Sequence, residues 1–483
     1  MSGTEKSYDA EKDLPGPLSD AIRNGSLDKS VLQNAGDGDE ALKAFASHQG
    51  EVIELDEATN KRLLRKIDWN LMPVMCIVYG LNYLDKTTLS YASVMGLRVD
   101  TNLTGNNYQW LSSMFYFGYL AWEYPTNRLL QRLPLGKYSA ANIILWGATL
   151  CTFAAVSDFG GGVAVRFFLG VTEAAVTPGF ALLTSQWYTK KEQGSRTSIW
   201  FSFNGFAQIF GGLVAYGIAK GTRIHGSAIE PWKIIFLVTG CLTICVGAIF
   251  FWVIPDSQLN ARFLTQGGAA GPADLGIRFS MPWSLIFPMV AFPTSSLSSS
   301  HLSATQQKNL SYTVLPGGAV EVIALLVCGY LGDKFGHRLL ISTSGLWIST
   351  LGMLLIVCLP LDNNIGRLFG YYLTQASPTP FVALLSLIST NVAGWTKKTT
   401  VAALYLIAYC VGNIIGPQTF RPADAPRYIP ACIVISTSYS SIGTAKDKTA
   451  KSRHPRFPDY VKAENQEWLD LTDRENPEFV YTL

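Results

Sequence analysis

The feature that most constrains this chain is a succession of apolar stretches, each about twenty residues long. They lie near 69–92, 108–131, 138–157, 161–184, 196–219 and 232–254, and again near 314–332, 339–360, 366–392 and 399–417. Each has the length needed to cross the hydrocarbon of a bilayer as a helix. Backbone groups in lipid must be satisfied within the segment, so such runs specify helices and not loops or open sheet. Of the 483 residues, 48% are hydrophobic and 15% charged, whereas a soluble chain carries about a quarter charged residues. The charges crowd into the first 68 residues, the C-terminal tail and short patches between the runs. The expected class is an all-α polytopic membrane protein.

Basic residues set an expected orientation. Lys61, Arg62, Arg65 and Lys66 precede the first span. Arg128, Arg132 and Lys137 lie between the second and third, and Lys190, Lys191 and Arg196 between the fourth and fifth. All fall on one side, which the positive-inside rule assigns to the cytoplasm. Residues 1–60 lack periodicity and an apolar core segment, so they read as a disordered cytoplasmic tail and not a signal peptide. Asn102-Leu103-Thr104 then falls outside, with Asn102 as a candidate glycosylation site. Ser2 in second position gives no myristoylation signal.

Several chemistries are absent from the sequence. The eight cysteines (Cys76, Cys151, Cys241, Cys245, Cys328, Cys358, Cys410 and Cys432) lie in apolar segments without a CxxC pair, and read as small buried hydrophobes. His48, His225, His301, His337 and His454 sit in tails or connections and make no metal cluster. There is no P-loop, nucleophile elbow or metal-ligand spacing, so an enzyme is not expected, nor any cofactor or metal. A net charge of +3 gives no reason to expect a nucleic-acid partner.

Ionisable groups inside membrane spans are costly and mark ion or substrate paths. Asp85 and Lys86 sit in the outward half of the first span, Arg166 and Glu173 in the fourth. Seven residues separate Arg166 from Glu173, nearly two turns, so both share a face about 10 Å apart along the axis. Such a face can bind an anion through the cation and exchange a proton through the acid. The structural alternative is that Asp85 and Arg166 form a buried pair joining the two spans. Glu123, in "WEYPTN", reads as a gating or structural residue. Asn204 and Gln208, one turn apart in the fifth span, suit hydrogen bonds to a polar substrate or to another helix. Tyr83, Gln375 and Asn413 are further substrate candidates. The "GNIIGP" stretch, 412–417, reads as a kink, and Trp110 and Trp232 as interface anchors.

A second-half loop, "GYLGDKFGHR", places Gly329, Asp333, Lys334, Gly336 and Arg338 between two spans. It fits G-x-x-x-D-[RK]-x-G-x-[RK]. "PTNRLLQRLPLGK", 125–137, is a degenerate counterpart in the first half. A glycine-rich turn with an acid and cations suits a short connection whose charges pair across the bundle and hold one gating state. The matching positions of the two loops favour an internal repeat.

These stretches, with "LNYLDKTTLSYAS" (81–93), "FYFGYLAWEYPTNRLLQRLP" (115–134), "RFFLGVTEAAVTPGF" (166–180), "GYYLTQASPTPFVALLSLISTNVAGWTKKTT" (370–400), "YCVGNIIGPQTFRPADAPRY" (409–428) and "WLDLTDRENPEFVYTL" (468–483), resemble the major facilitator superfamily. Within it, the chain is similar to the fungal allantoate permease group of anion:cation symporters. The resemblance implies a major facilitator fold of two six-helix halves. It divides the chain into the tail 1–60, a first half 61–255, a central cytoplasmic loop 256–281, a second half 282–436 and a cytoplasmic tail 437–483. Two spans depart from the family pattern. Between Pro255 and Pro316 only "MPWSLIFPMVAF" is apolar, and "ACIVIS" after Pro430 stops almost at once, so the seventh and twelfth helices read as truncated. A mis-spliced or decayed gene would cut both with such sharp edges.

The resemblance further implies Asp85 and Glu173 as proton-coupling sites and Lys86 and Arg166 as anion contacts. Lys86 stands where many relatives have Arg, replacing a bidentate fork with a point charge. A carboxylate in a low-dielectric site holds a proton more tightly than in water, so an acid there can load outside and unload inside. The expected function is import of a small organic anion with protons. The candidates are allantoate, nicotinate or a related carboxylate, carried by a monomer in the plasma membrane with both termini cytoplasmic if the twelve spans are complete. The alternatives are export of an acidic metabolite and a non-transporting receptor or remnant.

Overall fold

A computed structural model describes residues 57–104, 107–189, 192–256, 302–335, 337–360, 363–392 and 395–418, together with Ile433. The described residues form helices and no strand. They are α1 (Glu57–Val94), α2 (Leu97–Asp100), α3 (Asn107–Arg132), α4 (Leu135–Thr152, prolonged by a 3-10 turn Phe153–Ala155), α5 (Phe159–Glu173), α6 (Val176–Trp187), α7 (Gln193–His225) and α8 (Pro231–Val253). The second half supplies α9 (Leu302–Phe335), α10 (Arg338–Cys358), α11 (Asn364–Thr374), α12 (Thr379–Asn391) and α13 (Trp395–Gln418). The expected truncations of the seventh and twelfth spans fall on 282–301 and 419–436, outside the described residues apart from Ile433, as does Gly336.

Hydropathy found the helices but not their ends. At 1.5 Å per residue, the 38 residues of α1 extend ~57 Å, well beyond the ~30 Å of hydrocarbon. The extra turns carry Lys61 to Lys66 into the polar boundary, where a mainly apolar criterion cannot follow a helix. Lys61 pairs with Glu57 one turn earlier at 2.6 Å. Likewise α9 begins at Leu302, before the expected 314, and α7 overruns the expected 196–219 at both ends.

Two expected single spans are each broken in two, and proline explains both breaks. Pro178 lacks the N–H that would bond the Ala174 carbonyl, and its ring crowds that carbonyl. The helix is interrupted at Ala174 and Ala175, directly after Glu173. Pro378 and Pro380 act similarly after Gln375, separating α11 from α12. The stretch 412–417, expected as a kinked point, stays helical: α13 runs to Gln418, because Gly412 and Gly416 loosen a helix without removing a donor, and Pro417 comes in its final residues. Asp158 caps α5 by accepting from the Gly161 N–H at 3.1 Å, and Asn363 caps α11 through Gly366 at 3.0 Å.

In the first half, α1 packs on α7 and α8, α3 on α5, and α4 on α8; in the second, α10 packs on α9 and α11. The halves meet along two long seams, α7 against α9 and α3 against α13. On the first seam Gly205 and Gly318 bring the two backbones together: a Cβ on either would run into the other's carbonyl oxygen. Trp146, Trp200, Phe180 and Phe236 fill the first-half interior.

Four helical stretches are long and apolar enough to cross a membrane by hydropathy alone: Leu135–Ala155, Phe159–Trp187, Pro231–Val253 and Leu340–Cys358. α1, α7 and α9 are longer still, and α3 has 26 residues, but their inward faces carry polar residues that lower the average. Two surface expectations are corrected. Trp232 is buried and donates to Asp100 Oδ2 at 2.7 Å, fastening α8 to α2, so it is a core residue and not an interface anchor. Cys241, Cys245 and Cys358 are exposed rather than buried, since the outer surface of a membrane bundle is itself apolar.

Candidate functional site

The four charged residues of the first and fourth spans come together between α1 and α5. Glu173 is fully buried at the last residue of α5, and its carboxylate meets Lys86 Nζ at 2.9 Å. Lys86 also donates to Asn82 Oδ1, one turn back on α1, at 2.9 Å. Its ammonium stands 5.8 Å from the Phe115 ring, and Tyr79, Tyr116 and Tyr409 lie within its electrostatic reach. Three helices of the first half and α13 of the second therefore converge on one ion pair.

Asp85 and Arg166 are adjacent but are not bonded as the structural alternative required. Asp85 Oδ2 accepts from Trp146 Nε1–H at 2.8 Å, and Oδ1 has no hydrogen-bond partner. Arg166 lies within electrostatic reach of Asp85, but no direct ion pair joins them. Its guanidinium stands 5.3 Å from the Phe153 ring, and Nε and Nη2 make no hydrogen bond. Arg166 and Glu173 do share the buried side of α5, as their spacing requires. A buried cation with two unused donors suits a bound anion.

The remaining candidates divide by position. Asn204 and Gln208 are buried one turn apart on α7, and neither Asn204 Oδ1 nor Gln208 Oε1 has a hydrogen-bond partner. Tyr83 and Gln375 lie beside the seam, Tyr83 facing Tyr371 and Glu321, and Gln375 against Gly317. Asn413 donates its side-chain amide to the Tyr409 carbonyl of its own helix at 2.9 Å. Glu123 is buried and takes Asn127 Nδ2–H at 2.7 Å, a bond within α3. Asn102 is exposed in a left-handed conformation, φ 51°, which asparagine tolerates. Glu321, buried on α9, was not among the sequence candidates. Its signal was present, as an acid inside the apolar run 314–332.

At the end of the bundle bearing the basic loops, the second-half loop reaches into the first half. Asp333 Oδ2 accepts from the Ser195 N–H at 2.7 Å and from the Ser195 hydroxyl, at the start of α7. Its other oxygen takes Arg338 Nε–H at 2.8 Å. A carboxylate at a helix N-terminus meets unsatisfied amides and the positive end of the dipole. Gly329 packs against the Ser198 side chain, whereas Lys334 is exposed beside Tyr330 and Phe335. The first-half counterpart loop is tied to the segment that follows α8, Lys137 to Asp256 at 3.1 Å. Between this end and the Lys86–Glu173 pair, Phe201 of α7 meets Phe381 of α12 at 5.6 Å, and Phe381 meets Tyr405 and Tyr409. The halves are thus closed on each other at the basic end by a polar latch and an aromatic layer.

Comparison with known proteins places this geometry. The Major Facilitator Superfamily profile matches residues 75–417. An uncharacterized transporter of Schizosaccharomyces pombe is 38% identical, over 89% of this chain and 91% of its own length. The allantoate permease of Saccharomyces cerevisiae is 32% identical, over 92% of this chain and 90% of its own. Among solved structures, the proton:xylose symporter XylE superposes with a TM-score of 0.53 over 77% of this chain and 94% of its own, at 15% identity, a likeness of fold. An integral, multi-pass membrane transporter rather than an enzyme accounts for the helices, the buried charges and the paired halves together, and the chain belongs to the Major Facilitator Superfamily, where it resembles the fungal allantoate permease-like transporters.

Proposed function

We propose that the chain is a proton-coupled importer of a small organic anion, and the observation that carries this is the buried Lys86–Glu173 ion pair. With Glu173 ionised, Lys86 is neutralised and offers little to an anion. When Glu173 takes a proton, the ammonium loses its counter-charge in a low-dielectric site and attracts a carboxylate. Arg166, with Nε and Nη2 unused, adds a second anion contact, and Asp85 beside it is the second proton site. Proton and anion then cross together. The latch at Asp333 and the aromatic layer hold the basic end shut, and loading occurs from the opposite side.

The positive-inside rule puts the basic end in the cytoplasm. On this reading both termini are cytoplasmic, Asn102 faces outward as a glycosylation site, and the protein works as a monomer in the plasma membrane. Resemblance to allantoate permease makes allantoate and related carboxylates the first substrates to try. The test is uptake of labelled allantoate and nicotinate by cells expressing the full chain, with and without an inward proton gradient. Wild type accumulates substrate only with the gradient, and Glu173→Gln exchanges substrate without accumulating it. Unchanged gradient-driven accumulation by Glu173→Gln, or accumulation of neither anion by wild type, overturns the proposal.

A further inference from the structure

Glu123 of α3 is a buried acid with no ion pair. It is fully buried, and Oε1 accepts from Asn127 Nδ2–H, one turn on, at 2.7 Å. Oε2 has no hydrogen-bond partner, and among the described residues no cation pairs with the carboxyl. The titratable groups that face it are Tyr119 of its own helix and Cys410 of α13, both buried. Both also lie within electrostatic reach of Glu173. Thr177, buried four residues past Glu173, is the side-chain hydrogen-bond partner of Tyr119 and of Tyr79 on α1. A hydroxyl of α6 and a phenol of α3 thus stand between the two acids.

The two acids lie at different depths. Glu173 precedes Trp187, the last residue of α6, and Glu123 precedes Arg132, the last residue of α3; both ends lie at the basic side. At 1.5 Å per residue the separations are about 21 Å and about 13 Å, so Glu123 is nearer the cytoplasmic face. An ionised carboxylate without a counter-charge is far costlier to bury than a neutral carboxyl. A lone acid beneath a closed seam therefore suits a held proton, whereas Glu173 against Lys86 suits a carboxylate.

We infer that Glu123 is the inward proton station of this transporter: it receives the proton that Glu173 gives up and holds it until the basic end opens. This rests on the transport reading above and adds its inward half. The Glu173 carboxyl passes its proton to the Thr177 hydroxyl, Thr177 passes its own to Tyr119, and Tyr119 passes its own to the Glu123 carboxylate. Both hydroxyls end as they began. Glu173 ends ionised against Lys86, which then releases the anion, and Glu123 ends neutral. The closed structure has the geometry of this end point. Cys410 of α13 stands over Glu123 while α3 and α13 are packed together, so the proton leaves only when that seam parts, and none leaks through the closed protein.

The experiment places the purified full chain in proteoliposomes, with labelled allantoate and nicotinate as probes, and compares wild type, Glu123→Gln and Tyr119→Phe. Glutamine keeps the shape of the side chain but cannot carry the proton, and phenylalanine keeps the ring but removes the relay hydroxyl. Exchange of labelled for unlabelled anion needs the halves to move and no proton release inside, whereas accumulation under an inward proton gradient needs both. Both variants should accumulate anion at least about tenfold more slowly, while exchange stays within about twofold of wild type. Infrared spectra of the purified protein give a readout apart from transport: wild type shows the carbonyl stretch of a buried protonated carboxyl that Glu123→Gln lacks. Exchange that falls in step with accumulation marks Glu123 as a gate or structural residue and overturns the inference. Wild-type accumulation by Glu123→Gln, or an infrared band unchanged by it, also overturns it. These outcomes leave import coupled through Glu173 standing, whereas wild type that accumulates neither probe sinks the transport reading and the relay with it. Should Glu123→Gln fail to fold, Tyr119→Phe decides, a selective loss of accumulation supporting the relay and a uniform or absent effect overturning it.

Discussion

Lys86 of α1 and Glu173 of α5 face each other at 2.9 Å, while their chain neighbours Asp85 and Arg166 leave the complementary pair unclosed. The site is therefore asymmetric: one cation is neutralised by an acid, and the other is held near an acid whose bond goes to Trp146. Removing one member of a buried pair strands the other, which costs about 3–5 kcal/mol, whereas replacing both is far less costly. Lys86→Met should therefore lower the thermal stability of the purified protein clearly. Lys86→Met combined with Glu173→Gln should recover most of that loss without recovering transport. Additive losses in a thermal-shift measurement would mean that the two side chains do not interact.

The single indole contact to Asp85 is the next point of leverage. Trp146→Phe keeps the ring packing and removes the N–H that Asp85 Oδ2 accepts at 2.8 Å. An orphaned buried acceptor costs about 1–3 kcal/mol. The variant should be less stable by that amount, and Asp85 should turn toward Arg166, occupying the cation proposed to hold substrate. Uptake should then show a raised KM with a smaller change in maximal rate. A wild-type KM would show that Asp85 is held by other contacts.

Much of this was legible from residue spacing. Arg166 and Glu173 had to share a face because seven residues is nearly two turns, and α5 places both inward. Apolar runs of membrane-crossing length located the long described helices. Partner choice was not legible: spacing within a helix says which residues align, and only the rotation of α1 against α5 decides that the ion pair is Lys86 with Glu173 and not Asp85 with Arg166. Trp146 and Trp232 were beyond reach for the same reason, because each bonds a carboxylate on another helix. Glu321 was missed because its stretch was read only as an apolar run, and the buried state of one acid depends on the helices packed around it. Helix ends failed where polar turns continue a helix past the bilayer.

The latch predicts a change in chemical accessibility. Cys328 lines a small cavity with Asp333, Arg338, Ser198 and Thr379. Asp333→Asn weakens the bond to the start of α7, and a neutral amide gains less from the helix dipole. The basic end should open more often, and Cys328 should be alkylated several-fold faster by a membrane-permeant maleimide, read by site-resolved mass spectrometry. Cys76, buried on α1, serves as the internal reference and should not change. Equal labelling of Cys328 in variant and wild type would show that the aromatic layer alone keeps this end shut.

The last prediction concerns the seam on which the halves must move. A Cβ at Gly205 would press on the Gly318 carbonyl and come within 2.7 Å of Val322 Cγ2. Backbone cannot yield as a flexible side chain does, so even Gly205→Ala forces α7 and α9 apart. Overpacking of this kind costs about 1–3 kcal/mol. Because the clash exists only while the halves are closed at this seam, the substitution penalises the closed state more than any state in which α7 and α9 separate. Gly205→Ala should therefore lower thermal stability modestly and speed the labelling of Cys328, as Asp333→Asn does, although it touches neither the latch nor the ion pair. Gly212→Ala, on the same helix where a Cβ meets only the Tyr91 hydroxyl at 3.8 Å, is the control and should leave both measurements unchanged. If both alanine variants behave alike, helix propensity and not close approach governs the response, and the Gly205–Gly318 contact is not what sets the balance between closed and open states.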